Sequence, residues 1–209
     1  MPIISHALKA ARETGLYDRI HVSTDSARIA DVVAELGHPV AFMRPDELAD
    51  DLTPILPVLK HVVETFAARG ETFDQVSLIM ACAPLIEASD LLEADKLFSV
   101  HEGTKSVAGV TAYPVPIEWA FDRGEDDALV PVQPGKFAVR SQDLAVRYYD
   151  VGAFTIIPVK FVLELDGAGD DSLNVAYVLP REKAVDIDDE NDWRFAEALF
   201  RLRSNSEAH

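Results

Sequence analysis

Short apolar runs alternate with amphipathic helical segments along this chain, and the alternation restricts the possible folds more than any other feature. Apolar side chains recur at helical spacing in residues 3–11, 26–36, 54–68 and 89–100. Apolar runs of strand length separate these segments, at residues 19–23, 40–43, 76–80 and 106–111. Strands that alternate with helices of this length predict βαβ units and a mostly parallel sheet. We therefore expect an α/β fold whose ligands bind at the carboxyl ends of the strands.

The stretch from Tyr113 to Tyr149 breaks this pattern. It has four prolines and no helical periodicity, which is typical of extended pieces joined by turns. We predict a β-rich arm at residues 113–149, within one domain that spans residues 1–209. Trp119 and Phe121 of this arm are suited to anchor a homodimer interface or, equally, to pack the arm onto its own domain. Beyond the arm we predict a strand at 153–157, a short helix at 159–165 and an extended piece at 175–179.

The charge balance excludes several classes of partner. Acidic residues number 36 against 19 basic ones, so the formal net charge is −17, and neither nucleic acid nor an anionic membrane is expected to bind. The single cysteine, Cys82, rules out an internal disulfide and a cysteine-based zinc site. We expect it to be a small buried residue rather than a nucleophile. The sequence shows no signal peptide and no apolar run of membrane length, so we expect a cytoplasmic protein.

Two aspartates near the end of the chain form the clearest candidate site. Residues 184–188 are predicted to form a short buried strand that leads into a helix, so Asp186 and Asp188 share one face and Val185 and Ile187 the other. Two carboxylates on one face can hold a hard divalent cation such as Mg²⁺. Alternatively, these aspartates cap the following helix, whose N-terminal end attracts negative charge. The local pattern leaves both interpretations open.

Five segments carry further motifs, in one order along the chain: residues 15–25, residues 42–51, Ala83-Pro84-Leu85, residues 140–144 and residues 185–193. Together they resemble the CMP-sugar synthetases of the acylneuraminate cytidylyltransferase family. Residues 140–144, Arg-Ser-Gln-Asp-Leu, resemble the branch that activates pseudaminic acid. The resemblance implies a Rossmann-like α/β domain of the nucleotide-diphospho-sugar transferase type. It also implies that the β-rich arm builds a homodimer.

The family's reaction makes sense of the aspartate pair. Members transfer CMP from CTP to the anomeric hydroxyl of a nine-carbon 2-keto sugar acid and release pyrophosphate. CTP and a nonulosonic acid, of the pseudaminic or sialic type, are therefore the implied small-molecule partners. Because both are anions, the resemblance implies Mg²⁺ at Asp186 and Asp188, where it offsets charge and aligns the α-phosphate for attack.

The resemblance also assigns the nucleotide side of the site. Arg44 corresponds to an arginine that contacts the cytidine, and Thr53 and Ile55 occupy neighbouring base-reading positions. Alternatively, Arg44 forms a surface ion pair with a nearby aspartate, Asp46 or Asp50.

On the sugar side, Arg140, Ser141 and Gln142 correspond to a loop that faces the sugar acid, where a guanidinium suits a carboxylate. Their alternative is an ordinary loop turn. Asp150 and Gly152 correspond to a second turn facing the sugar, unless Gly152 only relieves a tight backbone. Asp25 either belongs to the site or caps the helix that starts at residue 26.

The chain also departs from the family pattern. Members begin with a strand and a loop rich in Gly, Arg and Lys that wraps the triphosphate, and roughly two dozen residues of this pattern have no counterpart here. Without that strand, we expect apolar surface at the sheet to be left unpaired. Ile55 and Met80 cannot make the hydrogen bonds that read a cytosine edge. A start codon set too far downstream competes with a catalytically impaired homologue that acts as a dimeric binding or regulatory protein.

Overall fold

A mixed four-stranded sheet forms the centre of the protein in the computed structural model, which describes residues 1–164 and 174–206. The strands are β1 (Gln75–Ile79), β2 (Ser106–Ala112), β3 (Phe121–Arg123), β4 (Leu129–Pro131), β5 (Tyr148–Pro158) and β6 (Asn174–Val178). The main sheet has the order β1-β5-β2-β6. Strand β5 is antiparallel to both of its neighbours, whereas β2 and β6 are parallel. The α/β prediction is confirmed, and three of the four main strands share one direction.

The helices follow the predicted pattern closely. They are α1 (Ile4–Thr14), α2 (Ala27–Glu35), α3 (Ile55–Ala68), α4 (Ala88–Val100), α5 (Val159–Glu164) and α6 (Glu190–Ser206). Leu165, the last residue of the predicted short helix, lies outside the described residues. Gly15 ends α1 in the left-handed conformation, at φ +66°. Ser26 caps α2, because its hydroxyl accepts the Ile29 N–H. The alternative in which Asp25 caps this helix is therefore wrong.

Helices cover both faces of the sheet. One core cluster joins α1 and α4 to the sheet through fully buried side chains such as Leu91, Val107 and Ile156. A second cluster joins α3 and α5 to the other face. Strand β1 contributes to both, because Val76 and Leu78 contact the second cluster and Ile79 the first. This arrangement holds the carboxyl end of β1 in place. Within the described ranges, no helix has the length and apolarity needed to cross a membrane.

Two predicted strands do not pair with the sheet. Residues 19–23 and 40–43 are extended or bent, but no sheet pairing is formed by them in the described part of the chain. A cavity of about 620 Å³ is lined both by residues 19–23 and by β1, whose outer edge has no strand partner among the described residues. The strand prediction for both segments is wrong, because extended backbone becomes a strand only where a neighbouring backbone can bond to it. Apolar side chains of α1 and α3 also line this cavity.

The arm buries its largest aromatic side chains against itself. Its two strands, β3 and β4, form a separate antiparallel pair. The Trp119 and Phe121 rings meet Phe137 edge-on, with ring centroids 6.0 and 5.4 Å apart. The Trp119 indole N–H also donates to the Val139 carbonyl oxygen, over 3.2 Å. Neither of the two predicted uses of Trp119 and Phe121, dimer anchor or plug onto the main domain, describes these contacts.

A half-buried histidine, His21, lies in an aromatic cluster beside the cavity. The His21 ring stacks on Phe42 with centroids 4.3 Å apart and meets Phe66 edge-on at 5.6 Å. Neither ring nitrogen of His21 has a hydrogen-bond partner in the described structure. Burial lowers the His21 pKa from 6.5 to about 4, and the nearby positive charges of Arg69 and His61 act in the same direction. His21 is therefore neutral in the folded protein at neutral pH.

Substitution of His21 by leucine is expected to weaken the pH dependence of stability. The unfolded chain takes up a proton on His21 near pH 6.5, and the folded chain does so only near pH 4. Stability therefore falls as the pH drops through this window. Between pH 7 and pH 5, the wild type should lose about 2 kcal/mol more unfolding free energy than H21L. Urea unfolding at the two pH values measures this difference, and equal losses in both proteins would contradict it.

Candidate functional site

The candidate site is built around residues 184–188, which have no regular secondary structure. The prediction of a strand is wrong in this respect, since no sheet partner of this segment is found in the described part of the chain. The alternation of faces is nevertheless as predicted. Val185 is buried and Ile187 half-buried, and both pack in a small cluster with Leu85. Packing on one face thus turns the exposed Asp186 and Asp188 to the other.

The capping of α6 belongs to two other aspartates. The Asp189 carboxylate accepts the N–H groups of Asn191 and Asp192, over 2.7 and 3.0 Å. The Asp192 carboxylate accepts the N–H groups of Asp188 and Asp189, over 3.1 and 3.0 Å. These bonds lower the Asp189 pKa. In the described structure, no hydrogen bond or ion pair engages the carboxylates of Asp186 and Asp188. The capping interpretation is therefore wrong for this pair, whose carboxylates remain available to a ligand.

Gly152 on β5 is a second predicted site residue, and it lies next to Asp186. A Cβ atom at Gly152 would lie 3.3 Å from Oδ2 of Asp186, and the backbone there has φ +60°. The Gly152 N–H donates to Oδ1 of Asp150, over 2.8 Å. Glycine therefore serves two purposes, because it permits the left-handed backbone and leaves room for the Asp186 carboxylate. The structure brings together Asp150, Gly152 and Asp186.

Cys82 is a site residue that the sequence did not indicate. It is half-buried in the turn that follows β1. Burial raises the pKa of its thiol, the nearby Asp186 and Asp188 carboxylates raise it further, and backbone N–H groups of Cys82 and Ile187 partly offset this. Such a thiol stays protonated at neutral pH, in line with the expectation that it is not a nucleophile. Its position at the carboxyl end of a strand is the signal by which it could have been found.

Arg44 lies at the cavity beside β1. Its guanidinium donates to the Ser23 hydroxyl over 3.2 Å and to the Ser23 carbonyl oxygen over 2.7 Å. Because its bonds go to Ser23, the alternative of a surface ion pair with a neighbouring aspartate is wrong. Ile55 and Met80 line the same cavity. Thr53 does not line this cavity, and its N–H donates to the Asp50 carboxylate over 2.7 Å.

Residues 140–142 form a turn whose described contacts are local. Ser141 and Gln142 belong to an exposed 3-10 turn, which Arg140 precedes. The Arg140 guanidinium pairs with Asp143 over 3.3 Å, although 73% of the Arg140 side chain is exposed. None of the contacts described for Arg140, Ser141 and Gln142 reaches Asp186 or Gly152. A loop turn is therefore what the structure shows for these three residues.

The donor set at residues 186–188 fits magnesium better than zinc. The described residues contain no group of three or more His, Cys, Asp or Glu side chains that could enclose a metal. Protein zinc sites need three or four ligands from the chain. Mg²⁺ is commonly bound through one or two carboxylates, with waters and substrate phosphates completing its shell. The unbonded carboxylates of Asp186 and Asp188 could supply the protein's part of such a magnesium coordination shell.

Solved structures of nucleotide-sugar synthetases and related enzymes share this α/β fold. The structure resembles a CMP:2-keto-3-deoxy-manno-octonic acid synthetase complexed with CTP, with a TM-score of 0.66. That match covers 97% of this chain and 88% of the other at 13% identity. A 4-diphosphocytidyl-2C-methyl-D-erythritol synthase from Anaerococcus prevotii matches with a TM-score of 0.59 over 95% of this chain and 89% of the other at 13% identity.

Sequence relatives define the family. The profile of a family described as cytidylyltransferase matches residues 1–94. The pseudaminic acid cytidylyltransferase of Campylobacter jejuni is 30% identical over 205 residues, which are 98% of this chain and 88% of that protein. A CMP-N,N'-diacetyllegionaminic acid synthase of Legionella pneumophila is 28% identical, over 99% of this chain and 88% of that protein. The chain belongs to the cytidylyltransferase family.

Proposed function

We propose that this chain is a CTP-dependent cytidylyltransferase that transfers CMP to the anomeric hydroxyl of a nine-carbon 2-keto sugar acid and releases pyrophosphate. One observation carries the proposal. Asp186 and Asp188 keep their carboxylates free, while Asp189 and Asp192 cap the helix that follows. The relatives named above support a nonulosonic acid as acceptor, with pseudaminic acid as the first candidate.

Asp186 and Asp188 are the proposed ligands of Mg²⁺. When bound, the cation would offset the charge of the triphosphate at the point where pyrophosphate leaves. The chain supplies the orientation, because the packing of Val185 and Ile187 fixes the direction in which both carboxylates point. The uncharged thiol of Cys82 adds no further negative charge beside them.

The nucleotide and the acceptor are assigned to different parts of the chain. The cavity beside Arg44 is the proposed place of the cytidine, and Thr53 is a further proposed contact of the nucleotide. Arg140, Ser141, Gln142 and Asp150 are the proposed contacts of the sugar acid. The guanidinium of Arg140 suits a carboxylate, since two of its N–H groups can bond to both oxygens at once.

Calorimetry and a pyrophosphate assay together test the proposal. The chain is titrated with CTP in the presence of Mg²⁺, and pyrophosphate release is then measured with pseudaminic, N,N'-diacetyllegionaminic and N-acetylneuraminic acid in parallel. Binding of CTP and release that depends on one of these acids are the expected results. A chain that binds no CTP would be the impaired homologue, which is the less favoured alternative because the carboxylate pair is intact.

Substitution of Arg140 by alanine is expected to weaken binding of the sugar acid. Its exposed ion pair with Asp143 contributes little to stability, so the unfolding free energy should change by less than about 1 kcal/mol. Loss of a charge-assisted bond should raise KM for the sugar acid about tenfold and leave KM for CTP unchanged.

The matched control for R140A is Arg123→Ala, which breaks a similarly exposed ion pair, with Asp127, in the same arm. R123A should leave both KM values unchanged. Equal effects of R140A and R123A on the sugar acid would remove Arg140 from the proposed contacts.

We also propose that the arm joins two copies of the chain. Its aromatic side chains pack on one another, but Leu129, Val130 and Val132 are between 52% and 65% exposed. An apolar strip of this kind is typical of a subunit interface. Size-exclusion chromatography with light scattering should give twice the mass of 23.0 kDa at micromolar concentration. Leu129→Asp should give the monomer mass of 23.0 kDa. A wild-type protein that is already a monomer would contradict the dimer proposal.

A further inference from the structure

A partly buried network of charges that no role has yet accounted for adjoins the segment that carries the aspartate pair. The Lys183 ammonium contacts Oδ2 of Asp90 at 2.7 Å and Oε2 of Glu87 at 2.5 Å. Arg203 contacts the other oxygen of Glu87 at 2.8 Å. The side chains of Lys183 and Asp90 are only 13% and 5% exposed. We call these four residues, Glu87, Asp90, Lys183 and Arg203, the clamp.

The clamp connects three pieces of chain: the start of α4, the turn before residues 184–188 and the end of α6. Glu87 and Asp90 lie at the start of α4. There each carboxylate accepts the backbone N–H of the other residue, which forms a capping box. Lys183 comes from the turn before residues 184–188, and Arg203 from the end of α6. Arg203 also donates to the Leu85 carbonyl oxygen over 2.6 Å, in the loop that follows Cys82. Movement of any one piece would strain bonds to the other two.

Residues 184–188 need such a connection because no sheet holds them. At one end, the Asp192 carboxylate accepts the Asp188 N–H and so fixes the segment to α6. At the other end, the polar tie is Lys183, three residues before Asp186. Loss of its ammonium would leave the buried Asp90 carboxylate without a cation, which a folded chain relieves by moving the segment or admitting water.

We propose that the clamp is a positioning device, in which Lys183 holds Asp186 and Asp188 in place beside Cys82 and Gly152. Its effect on metal binding rests on the function proposed above, whereas its effect on the segment does not. Residues that orient metal ligands typically change metal affinity 10- to 100-fold when they are replaced. The clamp residues do not touch the metal themselves, so their contribution is to geometry.

Cys82 supplies a test of position that needs neither metal nor activity. It is the only cysteine in the chain, and it lies beside Asp186 and Ile187. Its rate of reaction with a thiol reagent at fixed pH therefore reports whether residues 186–188 keep their place beside it. In Lys183→Met the rate should rise at least fivefold, and the Kd for Mn²⁺, measured by paramagnetic resonance without nucleotide, should rise at least tenfold.

Two variants separate position from general stability. Lys183→Arg keeps the positive charge, so its thiol reaction rate and its Kd for Mn²⁺ should both stay within about threefold of the wild type. Val63→Ala creates a cavity in the core cluster of α3, away from the clamp, and should lower Tm without changing either reading. Glu87 is 37% exposed in its side chain, so Glu87→Gln is a milder change that should shift both readings about threefold.

The outcomes are distinct. A folded K183M with an unchanged thiol rate overturns the proposal, as does an unfolded K183M combined with an unaffected E87Q. Changes in V63A as large as those in K183M would also overturn it, because the effect would then be loss of stability alone. If the wild type binds no Mn²⁺ at Asp186 and Asp188, the proposed metal site fails, and the thiol rates still decide the clamp.

Discussion

Replacement of both Asp186 and Asp188 by asparagine is expected to reduce CMP transfer about a thousandfold, equivalent to about 4 kcal/mol of transition-state stabilisation. The same change should leave the unfolding free energy within about 0.5 kcal/mol of the wild type, because neither carboxylate is buried or bonded in the described structure. Pyrophosphate release and urea unfolding measure the two quantities. Binding of Mn²⁺ should be lost along with activity.

The neighbouring aspartate provides the reciprocal control. Asp189→Ala removes the side chain that accepts two N–H groups at the start of α6, and should cost about 1 kcal/mol of stability. Its effect on Mn²⁺ affinity should be small by comparison. If Asp189→Ala abolished Mn²⁺ binding while the double asparagine variant kept it, the division of roles between these aspartates would be refuted.

Gly152→Ala is expected to impair metal binding through Asp186. The added methyl group would meet the Asp186 carboxylate at 3.3 Å, so that carboxylate must move by a few tenths of an ångström. The left-handed backbone at Gly152 adds a cost of about 1–2 kcal/mol in stability for any residue with a side chain. We expect the Kd for Mn²⁺ to rise about tenfold.

A second glycine, Gly15, separates the effect of the contact with Asp186 from the stability cost of the left-handed backbone. Gly15 has nearly the same conformation, with φ +66°, but a methyl group there would meet no atom within 4 Å. Gly15→Ala should therefore lose a similar amount of stability and keep wild-type affinity for Mn²⁺. Equal Mn²⁺ affinities of Gly152→Ala and Gly15→Ala would show that the contact between residue 152 and Asp186 does not affect metal binding.

The sequence predicts the helices well because their signals are local. Periodicity marks each helix, and Gly15 and Ser26 end and begin helices as such residues usually do. The strands were harder to predict, because residues 19–23 and 40–43 have strand-like composition but no partner in the described structure. Pairing depends on distant backbone, and nothing within five residues encodes it. The antiparallel placement of β5 between β1 and β2 has the same origin.

The candidate site was predictable to a similar extent. The alternation of residues 185–188 is local and gave the correct faces for Asp186 and Asp188. The contact between Gly152 and Asp186 joins residues more than thirty positions apart, so only the family resemblance pointed to it. The pairing of Asp90 with Lys183 crosses 93 positions and has no local signature at all. Asp90 alone looks like an ordinary residue in the first turn of a helix.

The separation of tasks among the four aspartates bears on how this chain has evolved. Asp189 and Asp192 stabilise the start of α6 whatever the protein does. Asp186 and Asp188 contribute no such bonds, so mutation could remove them without harm to the fold. In a lineage released from selection on catalysis, these two codons would be among the first to drift.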